Sequence, residues 1–212
     1  MSLSWRIARR ELRGGLQGFR VFLACLALGV AAIAAVGTVR ASIQAGLTDQ
    51  GAVLLGGDAQ MEFTYRFADE GERAWMEENA LKVSEIVDFR SMILLGEESA
   101  LTQVNAVDDA YPLVGSVTLE AGSLPEALAI QDGLPGAAMD KVLVDRLGLA
   151  VGDRFRLGVQ EFRLGAVLLR EPDSANGGFS LGPRTIVRTV DLANSGLLEP
   201  GSLFETEYRL VL

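Results

Sequence analysis

The 212-residue sequence contains no histidine and a single cysteine, Cys25. The missing imidazole removes Ser-His-Asp and Cys-His catalysis, histidine-ligated zinc and the histidine-carboxylate iron triad from what this chain can do alone. One cysteine closes no intrachain disulfide and offers no thiol pair to a metal, so a disulfide-stapled exported fold is excluded. The serines fare no better. Ser174 sits in no G-x-S-x-G frame; Gly178 to Gly182 spells that pattern around Ser180, but with no histidine to activate the hydroxyl, and Gly177-Gly178 with Ser180 and Gly182 lacks the lysine of a phosphate loop. No catalytic residue, cofactor or metal ligand is expected, and the chain is not expected to be an enzyme.

Charge is present but divided. Up to Arg40 there are six arginines against Glu11, about +5, and the remainder carries about −14 of the overall −9. An acidic body repels phosphates, so nucleic acid is not an expected partner. The basic start, Arg6, Arg9, Arg10, Arg13 and Arg20, reads as a topology signal that keeps the N-terminus in the cytoplasm and everything after Arg40 outside.

Between those arginines lies the longest uncharged run, Val21 to Val39. Its 19 residues approach the ~20 that a helix needs to cross a hydrocarbon core. Three readings compete: an uncleaved anchor, a cleaved signal peptide with small residues around Ala32-Ile33-Ala34, and a buried soluble helix. The length exceeds the ~7–15 residues of a signal-peptide core and favours the anchor. At helical spacing Ala27, Ala31 and Ala35 form a small-residue stripe, with Phe22, Leu26, Val30 and Ile33 roughly opposite. Such a stripe suits contact with another membrane helix, while a plain alanine-rich helix without a partner is the bland alternative. The arginine-rich start either lies along the membrane surface, ended by Gly14-Gly15 and Gly18, or is a simple positive flank.

Beyond the crossing, helix is expected to Gly56-Gly57. "AQMEFTYRF" alternates, with Met61, Phe63 and Tyr65 on one face, as a half-buried strand does. "DEGERAWMEENAL" reads as a short exposed helix, and "KVSEIVDFRSMILLG" and "ALTQVNAVD" as a hairpin turning at "GEES". "LPEALAIQDGLPG" is a loop or short helix. "KVLVDRLGL" is a helix ended by Gly148, followed by short strands in which Phe155, Leu157, Phe162 and Leu164 alternate with polar residues. "EPDSANGGFSLGPR" is a loop and "ETEYRLVL" a final returning strand. The acidic pairs Glu77-Glu78, Glu97-Glu98 and Asp108-Asp109 read as solvated charge, with no calcium-loop spacing around them.

Several phrases in this order carry a likeness: "ARRELRGG" (8–15), "LLGGDAQ" (54–60), "NAVDDAYPLVG" (105–115), "DRLGLAVGDRFRLG" (145–158), "VLLREPD" (167–173) and "LGPRTIVRTVDLANSGLLEPGS" (181–202). Together they resemble the N-terminal part of ABC transporter permeases of the MacB and FtsX superfamily, in its YbbP-like branch. The resemblance implies an α+β fold: a transmembrane helix (21–39) after a basic cytoplasmic start (1–20), then a mixed α/β porter-like unit (40–135, returning at 173–212) interrupted by a small β-rich, sabre-like unit (136–172). It also implies a bacterial inner-membrane location with a periplasmic body. The implied partners are a cytoplasmic ABC ATPase subunit, further permease helices or a second permease copy, and membrane lipid. The implied function is coupling of ATP hydrolysis by that partner to export or extraction of a hydrophobic or lipid-like substrate. The alternative is an anchored extracytoplasmic binding or regulatory module without transport. Complete permeases of this kind continue through further crossings, so a truncated permease or fragment is expected.

Overall fold

Helix α1 (Leu16–Leu55) carries the uncharged run, and its continuity follows from composition: between Arg20 and Arg40 no side chain is charged. The computed structural model describes residue 7 and residues 16–172, 182–199 and 201–212. Chain contacts divide it into two units, residues 1–49 and residues 50–212. Within α1 the stretch Phe19–Ile43, 25 residues with mean hydropathy 2.4, is long and apolar enough to cross a membrane by length and composition. The helix runs unbroken through Gly18, one of the glycines read as ending a surface helix ahead of the crossing. Thr38 stays inside the helix because its Oγ1 donates back to Ala34 O and Ala35 O at 3.0 and 2.9 Å.

The second unit is built on strands β1 (Ala59–Thr64), β2 (Lys82–Leu95), β3 (Glu98–Val107), β4 (Thr118–Leu119), β5 (Gly136–Asp140), β6 (Arg154–Leu157), β7 (Gln160–Arg170), β8 (Arg184–Arg188) and β9 (Glu205–Val211). Its helices are α2 (Glu70–Asn79), α3 (Leu124–Leu128) and α4 (Lys141–Leu147), with a 3-10 turn at Thr189–Leu192. The strands form one sheet in the order β1-β9-β2-β3-β8-β5-β7-β4, and β6 bridges β2 and β7. Pairing is antiparallel except between β3 and β8 and between β5 and β7. Residues 136–172 thus contribute β5, β6 and β7 to the same sheet as the flanking segments, with α4 between β5 and β6.

Local chemistry explains the ends of the elements. Asp69 and Glu72 form a reciprocal capping box at the start of α2, the Asp69 carboxylate accepting from Glu72 N at 2.8 Å and the Glu72 carboxylate from Asp69 N at 2.9 Å. Arg66 forks onto Glu72 at 2.6 and 2.8 Å, and this pairing, with the Asp69 amide, pulls the Glu72 carboxyl down to about 2. At the other end of α4, Gly148 adopts the left-handed conformation at φ 63° that a C-terminal cap requires. β2 and β3 meet in a tight turn at Gly96 and Glu97.

One sheet face is apolar and covered. Phe63, Tyr208 and Leu210 pack with Met76 of α2, while Val87, Phe89, Val104 and Met139 join Leu143 and Leu147 of α4. The opposite face is apolar only in part: Ile86, Val107, Ala138, Leu168 and Ile186 lie with Tyr111 and with Leu124 and Leu128 of α3. Two expectations are corrected here. Met76 is fully buried although its helix reads as exposed, because one apolar side chain per turn suffices to dock a short helix. Tyr65 does not continue the alternation of β1: the strand ends at Thr64, and Tyr65 turns out at φ 59° with its ring exposed.

Candidate functional site

Two regions bear on function: the apolar helix and the less covered sheet face. In the helix, Ala27, Ala31 and Ala35 follow one another at one-turn spacing and are all exposed, as are Phe22, Leu26, Val30 and Ile33. Arg20 is exposed at the N-terminal end of the span. Arg6, Arg9, Arg10 and Arg13 lie outside the described residues, and so do Ser174, Gly177, Gly178 and Ser180.

The sheet face is built by registers that sequence reading does not supply. In β1, β9 and β2 the neighbours Glu62 and Glu207, Glu205 and Asp88, and Ser84 and Arg209 stand opposite one another on one face. The face continues through Gln103 and Asn105 of β3 to Arg184 of β8. Gln103 Nε2 donates to both oxygens of Asp88, at 2.8 and 2.9 Å. Arg184 Nη1 is ion-paired with Glu171, the residue that follows β7, and the two side chains are 12% and 2% exposed. Arg209 Nη2 meets Glu207 Oε2 at 2.9 Å.

Burial sets the electrostatics of this cluster. Desolvation raises the Glu171 carboxyl, and Arg184 opposes that rise by charge and hydrogen bond. Asp88 is raised by the same cause and held back by Gln103. Glu207 goes up to about 7, first through desolvation and then through the nearby carboxylates of Asp88, Glu62 and Glu205. On the covered face, burial and the hydrogen bond to Glu85 push the Tyr208 phenol up to about 12; its hydroxyl donates to Glu85 Oε2 at 2.7 Å.

The raised Glu207 carries a pH prediction. Between pH about 4.5 and 7 the unfolded chain loses this proton while the folded one keeps it, so the fold loses stability as pH rises through that window. The Arg209 ion pair offsets part of the effect. Thermal unfolding followed by circular dichroism should show the parent chain losing roughly 2–4 °C between pH 5 and 7.5, about 1 kcal/mol, and Glu207→Gln losing less. Equal slopes for the two chains would refute the assignment.

Sequence reading missed Asp108. Far from being solvated, its carboxylate accepts from Ser84 Oγ and Glu85 N, both at 2.7 Å, and from Ala110 N and Tyr111 N, both at 3.1 Å. It ties the start of β2 to the chain leaving β3. The D-D-A-Y phrase carries the local half of this signal, since aspartate commonly accepts from the amide two residues on. The other half needs the β2–β3 register. Glu77, Glu78, Glu97 and Glu98 are exposed as expected. Among the described residues no group of three histidine, cysteine, aspartate or glutamate side chains could hold a metal ion. The polar face therefore offers paired charges and hydrogen-bond acceptors, chemistry suited to binding.

Residues 21–202 match the MacB-like periplasmic core domain family. Over 188 residues, 87% of this chain, the sequence is 31% identical to the uncharacterized ABC transporter permease YbbP of Escherichia coli (strain K12). The chain spans only 22% of the length of that relative. Similar solved structures include the extracellular domain of the noncanonic ABC-type transporter YknZ from Gram-positive bacteria, with a TM-score of 0.46 and 12% identity over 70% of this chain and 73% of that one. The periplasmic region of MacB from Actinobacillus actinomycetemcomitans gives a TM-score of 0.46 and 12% identity over 73% of this chain and 76% of that one.

Proposed function

The chain belongs to the MacB-like periplasmic core domain family, and on that premise we propose that it is the first membrane helix and the exported core domain of an ABC transporter permease. A cytoplasmic ABC ATPase subunit hydrolyses ATP, and the permease helices relay the motion to the body outside, driving export or extraction of a hydrophobic or lipid-like substrate. The observation that carries this reading is the identity to an ABC transporter permease, which extends over 87% of the chain. The family match, too, takes in residues from both the span and the body.

The parts then have separate duties. The basic start, with Arg6, Arg9, Arg10, Arg13 and Arg20, keeps the N-terminus on the cytoplasmic side of a bacterial inner membrane, and residues after about 40 lie outside. The stripe of Ala27, Ala31 and Ala35 lets other permease helices, or those of a second copy, approach closely, since small residues bring backbones together in lipid. Lipid contacts the bulkier side chains. ATP chemistry belongs to the partner.

Two measurements test this. Alkaline carbonate should leave the parent chain in the membrane pellet, whereas a Val30→Arg, Ile33→Arg double variant should move largely to the soluble fraction. Each arginine near the middle of a span costs about 2.5–3.5 kcal/mol of insertion. Release of the parent chain would remove the anchor. Affinity purification from the native membrane should recover an ABC ATPase. Its consistent absence, with the anchor intact, would overturn coupling and leave an anchored binding module.

A further inference from the structure

Where β1, β9, β2 and β3 present one end of their polar face, the side chains enclose an open cleft of about 420 Å³ lined in part by Tyr65, Asp88, Arg90, Gln103, Leu203 and Glu205. Its composition is unusual for a solvated surface. Tyr65 and Leu203 are 58% and 73% exposed, two large apolar side chains left in water at one cleft. Tyr65 holds its place at φ 59°, a backbone region that side chains of its size rarely adopt.

The polar lining is net negative. Asp88 and Glu205 are opposite each other across β2 and β9, with Arg90 as the one cation among the described lining residues. Glu62 and Glu207 share the face one pair further along, and Glu207 is pushed upward first by burial and then by the carboxylates of Asp88, Glu62 and Glu205. Opposite Asp88 on β3 stands Asn105, 6% exposed, whose Oδ1 accepts no hydrogen bond among the described residues. Gln103 and the nearby arginines Arg184 and Arg90 answer part of the charge on Asp88, while the exposed Glu205 at the rim keeps a carboxylate that a donor carrying positive charge would complement.

We propose that this cleft is a docking site for a partner protein that inserts an arginine or lysine side chain, flanked by apolar residues. The aliphatic stem would lie between Tyr65 and Leu203 and the charged head would reach Asp88 and Glu205. Long basic side chains combine an apolar stem with a charged tip, the combination this cleft complements. The aromatic ring adds attraction for a cation, and arginine is among the residues that dominate interface energies. The inference stands apart from the transport reading, because it rests only on the geometry of the exported body.

The test uses the full chain in phosphatidylcholine nanodiscs and a labelled, end-blocked pentapeptide, Ser-Leu-Arg-Leu-Ser, read by fluorescence anisotropy. Saturable binding is expected, at least tenfold weaker when the central arginine is replaced by glutamate or by glutamine. Glu205→Gln and Leu203→Ser, both at exposed positions where folding is not at stake, should each weaken binding severalfold. Glu77→Gln with Glu78→Gln on α2 should leave it unchanged. No saturable binding, equal binding of the glutamine peptide, or equal weakening by the α2 pair would each overturn the proposal. The last two outcomes would reduce the effect to apolar adhesion and to general charge.

Discussion

Gly165→Ala is expected to destabilise the second unit by about 3 kcal/mol, a loss of roughly 6–12 °C in melting temperature for a body of this size. A Cβ on Gly165 would come within 1.9 Å of the Ala127 carbonyl oxygen and 2.7 Å of its carbon, and these are backbone atoms that cannot swing away. Gly136 meets the same carbonyl, at 2.0 Å from its would-be Cβ. The two glycines lie on the paired strands β5 and β7, beside the register shift between Ala137 and Ala138, and together they form a saddle that seats the end of α3. Helix and sheet approach here more closely than any side chain allows. Gly136→Ala should cost a similar amount, and the double variant less than the sum, because once α3 has lifted the second methyl meets no further resistance. Chemical denaturation of the three variants checks this. Parent-like stability of Gly165→Ala would mean that α3 does not sit in the saddle.

Arg184→Met should cost about 3–5 kcal/mol, because it leaves the Glu171 carboxylate 2% exposed without the guanidinium that compensates it. Burial already raises that carboxyl, so the variant has an escape: Glu171 takes up a proton. The loss should therefore shrink as pH falls toward 5, a dependence that a mere packing defect would not show. Glu171→Leu combined with Arg184→Met should be more stable than either single variant, since replacing both members of a buried pair by apolar groups is often close to neutral. Denaturation of the single and double variants between pH 5 and 8 gives the coupling. Additive losses, flat with pH, would show that the pair carries no mutual energy.

How far these features were legible depends on how far apart their partners lie. The apolar helix, the alternation of Phe155, Leu157, Phe162 and Leu164, the turn after Leu95 and the stop at Gly148 all rest on periods of two or 3.6 residues, or on one residue's backbone freedom, and each is found where the sequence put it. The family could be read from phrases spread along the chain, and residues 21–202 match it. What escaped were the long-range meetings. Tyr65 looks like one more step of β1, and its amide still donates to Phe204 O at 2.8 Å, the partner next in register, but its backbone turns at φ 59° and carries the ring out. Ser84 and Asp108 stand 24 positions apart, and Tyr208 reaches Glu85 across 123. The saddle for Ala127 is drawn from two strands, neither of which contains it. The polar face exists only because β9, last in the chain, lies between β1 and β2, a topology that no local pattern announces.

That placement of β9 has a mechanical consequence. β1 and β9 are antiparallel, so the start of β1 and the end of β9 are side by side: Asp58 N donates to Leu210 O at 2.8 Å, and Leu212 N to the Asp58 carboxylate at 3.0 Å. Tension applied between these two points would load the ladder as a zipper, one rung at a time, with no shear across all rungs together. The first rungs to part would be those at Asp58, while the core beneath α4 would feel nothing until β9 had peeled from β1. Such a pull would open the ladder early and locally, and on release it would close again from the rungs still paired, those at Asp58 last.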